Sequence, residues 1–161
     1  MTYRLIITIF FILFNLSGFC QTISGKVVGI MDGDTFKMLT KDSTLVRVRL
    51  ANIDCPENKQ PYSKKAKEFT ANALFGKEVT ISSQKTDRYK RYISDVVYND
   101  SLSLTHQLLK AGLAWHFIRY SNDSTLQKVE DLARINHLGL WKDTNPIAPW
   151  EWRKNKKRKN N

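Results

Sequence analysis

Val46 to Glu57 reads V-R-V-R-L-A-N-I-D-C-P-E, a strand that ends in a Cys-Pro turn. On a period-two strand, Val46, Val48 and Leu50 point one way and Arg47, Arg49 and Ala51 the other. An arginine sits on the non-core face, and Asp54 and Glu57 follow where the strand runs out. This pattern marks either a site at the mouth of a sheet or a solvated strand end. The rest of the chain has to decide between them.

Working outward, Ile23 to Met31 reads as a strand in which Gly25 and Gly29 permit bends or bulges. Asp32-Gly33 signals a tight turn, Asp34 to Thr40 a second strand, and Lys41-Asp42-Ser43 the turn into the opening stretch. Downstream, Pro61 precedes a helix capped by Ser63 and running to about Phe75, with Ala66, Phe69, Ala73 and Leu74 on one stripe and Gly76 as its stop. Glu78 to Gln84 and Arg91 to Tyr98 read as two more strands, followed by an Asn99-Asp100 turn. Ser103 caps a short helix through Leu104, Leu108 and Ala111, ended by Gly112. A longer helix from about Ser124 to His137 carries Leu126, Val129, Leu132 and Ala133 on one face, with Gly139 as its stop. Five short strands, one helix after the third and two after the fifth, predict an α+β domain: an OB-type five-stranded β-barrel with three α-helices. There is no internal repeat.

The 161 residues suffice for one domain, and 42% apolar content can close a single core. Lys and Arg outnumber Asp and Glu by 26 to 15, a net charge of +11 that favours a polyanionic partner, either nucleic acid or an anionic membrane. Six of these charges (Arg153, Lys154, Lys156, Lys157, Arg158 and Lys159) fall in the last ten residues. Residues 151–161 therefore read as a basic tail, either a solubilising end or a binding arm, after a domain spanning 21–150. At the other end, a cationic start to Arg4 and an apolar run from Leu5 to Leu16 fit a secretory leader in residues 1–20. The run is short of the ~20 residues that cross a bilayer. Small residues Gly18 and Cys20 point to cleavage before Gln21; lipidation of Cys20 is the alternative, poorly matched by Phe19. Cleavage there leaves only Cys55 and no intramolecular disulfide.

Asp34, Asp54 and Glu57 are carboxylates near strand ends, and like charges brought together need a cation, protons or arginines. Hard oxygen donors favour Ca²⁺ or Mg²⁺ over zinc. His106, His116 and His137 lack metal-ligand spacing and read as structural. Arg49 and Arg91 are the phosphate candidates, because a guanidinium donates two parallel hydrogen bonds and stays charged.

Taken together, D-G-D-T at Asp32 to Thr35, R-L-A-N-I-D-C-P-E at Arg49 to Glu57, T-D-R-Y-K-R at Thr86 to Arg91, G-L-A-W at Gly112 to Trp115 and G-L-W at Gly139 to Trp141 resemble the staphylococcal nuclease (thermonuclease) family. The resemblance spans essentially the whole mature chain. It implies a five-stranded OB-type barrel with three helices and a Ca²⁺-dependent phosphodiesterase acting on DNA and RNA. It also implies Asp34, Asp54 and the main-chain carbonyl of Cys55 as calcium ligands, with Asp32 behind them. Glu57 would activate or orient the attacking water, and a carboxylate of ordinary pKa ~4.3 leaves both roles open. Arg49 and Arg91 would clamp the scissile phosphate, and Tyr89 and Tyr120 would flank the nucleotide. Two positions depart from the family pattern: Lys90 stands where glycine is common, and Ile118 replaces a stacking tyrosine.

The expectation is a secreted or periplasmic monomer with no obligate protein partner. The competing readings are an OB module that binds nucleic acid without catalysis, and a basic protein held weakly at a membrane by its N-terminus and tail. Because all the site residues are kept, the enzyme reading leads.

Overall fold

The computed structural model describes residues 21–99 and 101–159. The expected leader in residues 1–20, and with it the choice between cleavage and lipidation at Cys20, lies outside them, as does Asp100 of the expected turn.

In chain order the strands are β1 (Gln21–Ile30), β2 (Thr35–Thr40), β3 (Leu45–Leu50), β4 (Ile53–Asp54), β5 (Glu78–Thr86), β6 (Arg91–Tyr98), β7 (Leu102–Ser103) and β8 (Trp115–His116). The helices are α1 (Ser63–Leu74), α2 (Leu104–Lys110), α3 (Ser124–Ile135) and α4 (Pro149–Lys159), with a 3-10 turn at Gly139–Lys142. The first three strands form the expected antiparallel meander. β5 then pairs antiparallel with β1, and β6 antiparallel with β5. β6 returns beside β3 in parallel, and that seam closes a five-stranded barrel. The fold is α+β and OB-type, and the described residues carry a fourth helix beyond the three expected. A two-stranded ladder of β4 and β8 lies beside the barrel.

The alternation read in the sequence fills the barrel. Val27, Phe36, Met38, Val48, Leu50, Ile81 and Val96 are buried, and Ala66 and Leu74 of α1 and Leu104, Leu108 and Leu109 of α2 pack on them. Each large apolar side chain buried this way stabilises by roughly 1.5–3 kcal/mol. The bulge anticipated at the glycines of β1 falls between Val27 and Gly29.

Local details differ from expectation. β2 begins at Thr35, which leaves Asp34 in the turn that leads into it. The α1 cap is Tyr62, in the left-handed region at φ 66° and with no side-chain hydrogen bond, instead of Ser63, which is the first helical residue. Ser103 does cap α2, its hydroxyl accepting from His106 N–H at 3.3 Å. α3 is capped by Asp123, whose carboxylate accepts from Thr125 N–H at 2.8 Å. Leu132 is 59% exposed, and the buried face of α3 is Leu126, Glu130 and Ala133. Glu130 is occupied: it binds Arg134 and accepts from the His116 N–H. The apolar stripe is thereby rotated. Among the described residues, no helix is long and apolar enough to cross a membrane.

Candidate active site

The mouth of the barrel collects the ends of β2, β3 and β4. Thr35 and Arg49 are register partners across β2 and β3, so the residue just before β2, Asp34, lies against the end of β3. The Leu50 N–H donates to the Asp34 carbonyl at 2.8 Å and fixes this crossing. Gly33 is required there: a Cβ on it would come within 2.7 Å of Ala66 Cβ and 2.9 Å of Cys55 Sγ. Thr70 of α1 donates to the Gly33 carbonyl at 2.6 Å and holds the turn down.

Arg49 links the two expected metal-ligating carboxylates. Its Nη1 lies 2.8 Å from Asp34 Oδ1 and its Nη2 2.8 Å from Asp54 Oδ1. Both acids are deeply buried, with side chains 3% and 1% exposed. Asp34 also accepts from Thr35 Oγ1 at 2.9 Å and from the Cys55 N–H at 3.0 Å. Burial opposes the charge on Arg49, but Asp34 and Asp54 outweigh it and hold the guanidinium protonated beyond the ordinary arginine range. Asp32, also packed in the turn, accepts from the Asp34 N–H at 3.2 Å. Burial, and then the charge of Asp34, push its carboxyl up to about 7. The cluster is thus rich in negative charge that a cation or a proton must offset.

The far side of Asp54 is held by a residue the sequence reading placed in the tail. Arg153 of α4 puts Nη2 2.7 Å from Asp54 Oδ2 and Nη1 2.5 Å from Glu57 Oε1. Asp34, Arg49, Asp54, Arg153 and Glu57 therefore form one line of alternating charges. The Glu57 main chain is fixed as well: its N–H donates to Gln60 Oε1 at 2.9 Å, and Gln60 Nε2 donates to the Ile147 carbonyl at 2.6 Å.

α4 stays in place because Trp150 stacks on Phe117 at 5.0 Å and meets Trp115 edge-on at 5.7 Å. Trp115 pairs with Asp54 in the β4–β8 ladder. No spacing rule announces an ion pair across ninety-six positions. The signal was the pair Trp150 and Trp152 at the head of the basic run, since tryptophans there call for something to pack against.

The second expected arginine, Arg91, opens β6 opposite Arg47 in the parallel seam, one strand over from Arg49. It is paired with Asp87 at 2.7 Å and makes no ion pair with the central carboxylates. Tyr89 is exposed beside it, with the guanidiniums of Arg88 and Arg91 at 4.9 and 5.5 Å from its ring. Tyr120 is exposed too and packs edge-on against Phe117 at 4.8 Å, which joins it to the aromatic row under α4.

Among the described residues, no three His, Cys, Asp or Glu side chains converge as a metal cage. The expected set needs only two carboxylates and a carbonyl. Asp34, Asp54 and the Cys55 main chain are hard oxygen donors, suited to a hard divalent cation. The Cys55 thiol is buried, and burial followed by the nearby aspartates pushes it well above the usual thiol range, so it stays protonated and offers no soft ligand.

The chain matches the family described as Staphylococcal nuclease homologue over residues 47–143, more than half its length. An uncharacterized endonuclease of Escherichia coli O157:H7 is 35% identical over 144 residues, which cover 89% of this chain and 94% of that protein. An uncharacterized endonuclease of Haemophilus influenzae is 33% identical over 156 residues, covering 96% and 87%. The micrococcal nuclease of Shigella flexneri is 35% identical over 148 residues, covering 85% and 84%. With the barrel, the carboxylate cluster and these relatives in agreement, the chain belongs to the staphylococcal nuclease family.

Proposed function

We propose that this protein is a secreted nuclease that hydrolyses phosphodiester bonds of DNA and RNA with Ca²⁺ and little preference for the sugar. The observation that carries the reading is Arg49 bridging two buried carboxylates, with Glu57 at the open end of the same charged line. Asp34, Asp54 and the Cys55 carbonyl would hold the ion, which when bound supplies a Lewis acid to the phosphate and offsets the buried negative charge.

The protein's own groups divide the remaining work. Arg49 keeps its charge in a buried setting, where a fixed cation stabilises the growing charge on the phosphate oxygens more than it stabilises the ground state. Arg91 is held by Asp87 at the start of the strand next to the one that carries Arg49, and its exposed neighbour Tyr89 would offer a face to the nucleotide. Tyr120 offers a second aromatic surface. Glu57, partly exposed, accepts a hydrogen bond from water and orients it for attack. The cationic start and apolar run in residues 1–20, read as a secretory leader, support export.

One observation favours a second reading, a nucleic-acid-binding module without catalysis: both oxygens of Asp54 are taken by guanidiniums. A single assay separates the two. Mature protein is incubated with denatured DNA in Ca²⁺ or in chelator, beside Glu57→Gln. Cleavage that needs Ca²⁺ and falls by orders of magnitude in the variant supports the enzyme; binding without cleavage sinks it.

A further inference from the structure

We propose that Arg153 is a positioning residue of the active site: it anchors on Asp54 and holds the Glu57 carboxylate where it can orient water. This rests on the reading of Glu57 given above. The geometry is that of a clamp. Asp54 is buried and already fixed on its other oxygen by Arg49, so it is a rigid post for the Arg153 guanidinium. The second nitrogen of that guanidinium then reaches Glu57.

Among the described residues, Arg153 is the side chain that holds the Glu57 carboxylate, and Gln60, tied to Ile147, holds its main chain. Arg153 itself and Ile147, the anchor of Gln60, both lie after residue 143, beyond the stretch matched by the family. A glutamate that is 37% exposed would otherwise sample several rotamers, and freezing one of them removes that search from the reaction. Arginine alone suits the task, because its planar fork spans two carboxylates while an ammonium offers a single point charge.

The test compares wild type, Glu57→Gln, Arg153→Ala, Arg153→Lys and the double variant Glu57→Gln/Arg153→Ala, all full-length, on denatured DNA with Ca²⁺. Thermal melting of each serves as a fold control. Arg153→Ala is expected to lower kcat by about tenfold or more with KM nearly unchanged, and Arg153→Lys to fall between it and wild type. In the Glu57→Gln background the second change should add almost nothing, because it acts through the group already removed. Millimolar methylguanidinium should restore Arg153→Ala and leave the double variant inactive, with sodium chloride as the ionic control. If Arg153→Ala does not fold, Arg153→Lys carries the same cycle. Wild-type kcat in Arg153→Ala while Glu57→Gln is inactive overturns the positioning role alone, as does a full multiplicative loss in the double variant. Wild-type kcat in Glu57→Gln overturns the reading of Glu57 and the positioning role with it.

Discussion

Arg47 and Arg91 face each other in register across the parallel β3–β6 seam that closes the barrel. Like charges directly opposite are unfavourable in a sheet, and each is offset separately. Arg47 Nη2 donates to the Tyr89 carbonyl at 2.6 Å, and Arg91 binds Asp87. The first bond straps the β5–β6 turn, which carries Tyr89 and leads directly into Arg91, to the strand that carries Arg49. Arg47→Ala is therefore expected to loosen that turn and lower kcat/KM by about fivefold, the equivalent of ~1 kcal/mol for one exposed charge-assisted hydrogen bond. Faster amide exchange at Tyr89 and Arg91 with an unchanged melting temperature is the accompanying sign. Unchanged exchange would show that the strap does not hold the turn.

Lys90 sits in the same turn at φ 58°, in the left-handed region where glycine carries no steric penalty. The glycine common at this position in the family thus has a conformational reason, and the lysine keeps the conformation at a cost of roughly 1–2 kcal/mol. Lys90→Gly should raise the melting temperature or leave it level, because the gain is partly offset by the greater freedom of glycine in the unfolded chain. Cleavage should be retained. A clear loss of stability would mean that the lysine side chain stabilises the turn in a way its backbone angle does not reveal.

The turn is also sensitive to acid. Asp87 lies below the usual carboxylate range; partial burial pushes it up, but the Arg91 N–H and guanidinium and the Tyr89 N–H outweigh this. A carboxyl lowered on folding stabilises above its unfolded value, 3.8 here, and that contribution is lost as the pH falls through the lower folded value. The stability difference between wild type and Asp87→Asn should therefore be constant near neutrality and shrink below about pH 4. Urea unfolding from pH 3 to pH 7 measures it. A difference that persists at the acid end would assign the loss to packing instead of charge.

How much of this was legible in the sequence depended on distance along the chain. Arg49, Asp54 and Glu57 share one strand and its exit, so alternation alone placed the arginine outside the core. Asp34 was readable because a turn signal precedes a strand, although the strand starts one residue later than expected. Arg153 was not, because an ion pair between distant segments leaves no period, and a run of lysines masks the one arginine that turns inward. Leu132 misled for a related reason. Helical spacing places it with Val129 and Ala133, but Glu130 must bury its carboxylate against Arg134 and His116, and α3 turns to allow it.

Arg49 has a structural task as well as the proposed chemical one. Alternation places Arg49 on the non-core face, which by itself gives it no part in stability. Yet removal of this guanidinium leaves Asp34 without its ion-pair partner and Asp54 with Arg153 alone, in a nearly dry setting. Breaking a buried pair on one side costs about 3–5 kcal/mol, a large share of the roughly 5–15 kcal/mol that holds a domain together. Arg49→Ala is expected to lose both cleavage and stability, whereas Glu57→Gln should lose cleavage alone. Denaturant midpoints for the two variants, measured in chelator, give the comparison. Equal midpoints would refute the structural role.

The charges beyond Arg153 make a separate prediction about substrate. α4 runs eleven residues, about 16 Å at 1.5 Å per residue, starting from the aromatic row beside the site. Lys154, Lys156, Lys157 and Arg158 are exposed along it. An ordered helix that starts beside the carboxylate cluster and continues as a basic rod would lie along a nucleic-acid backbone bound at that cluster. A solubilising end would need no such placement. Replacing these four residues by Gln while keeping Arg153 separates the two roles of the helix. KM should rise, and the slope of log K against log salt for single-stranded DNA should flatten by up to about 0.7 for each phosphate no longer neutralised, with kcat at saturating substrate close to wild type. An unchanged salt slope would return these four charges to the role of a solubilising end, and a fall in kcat without a change in KM would place them instead with Arg153 in the chemistry.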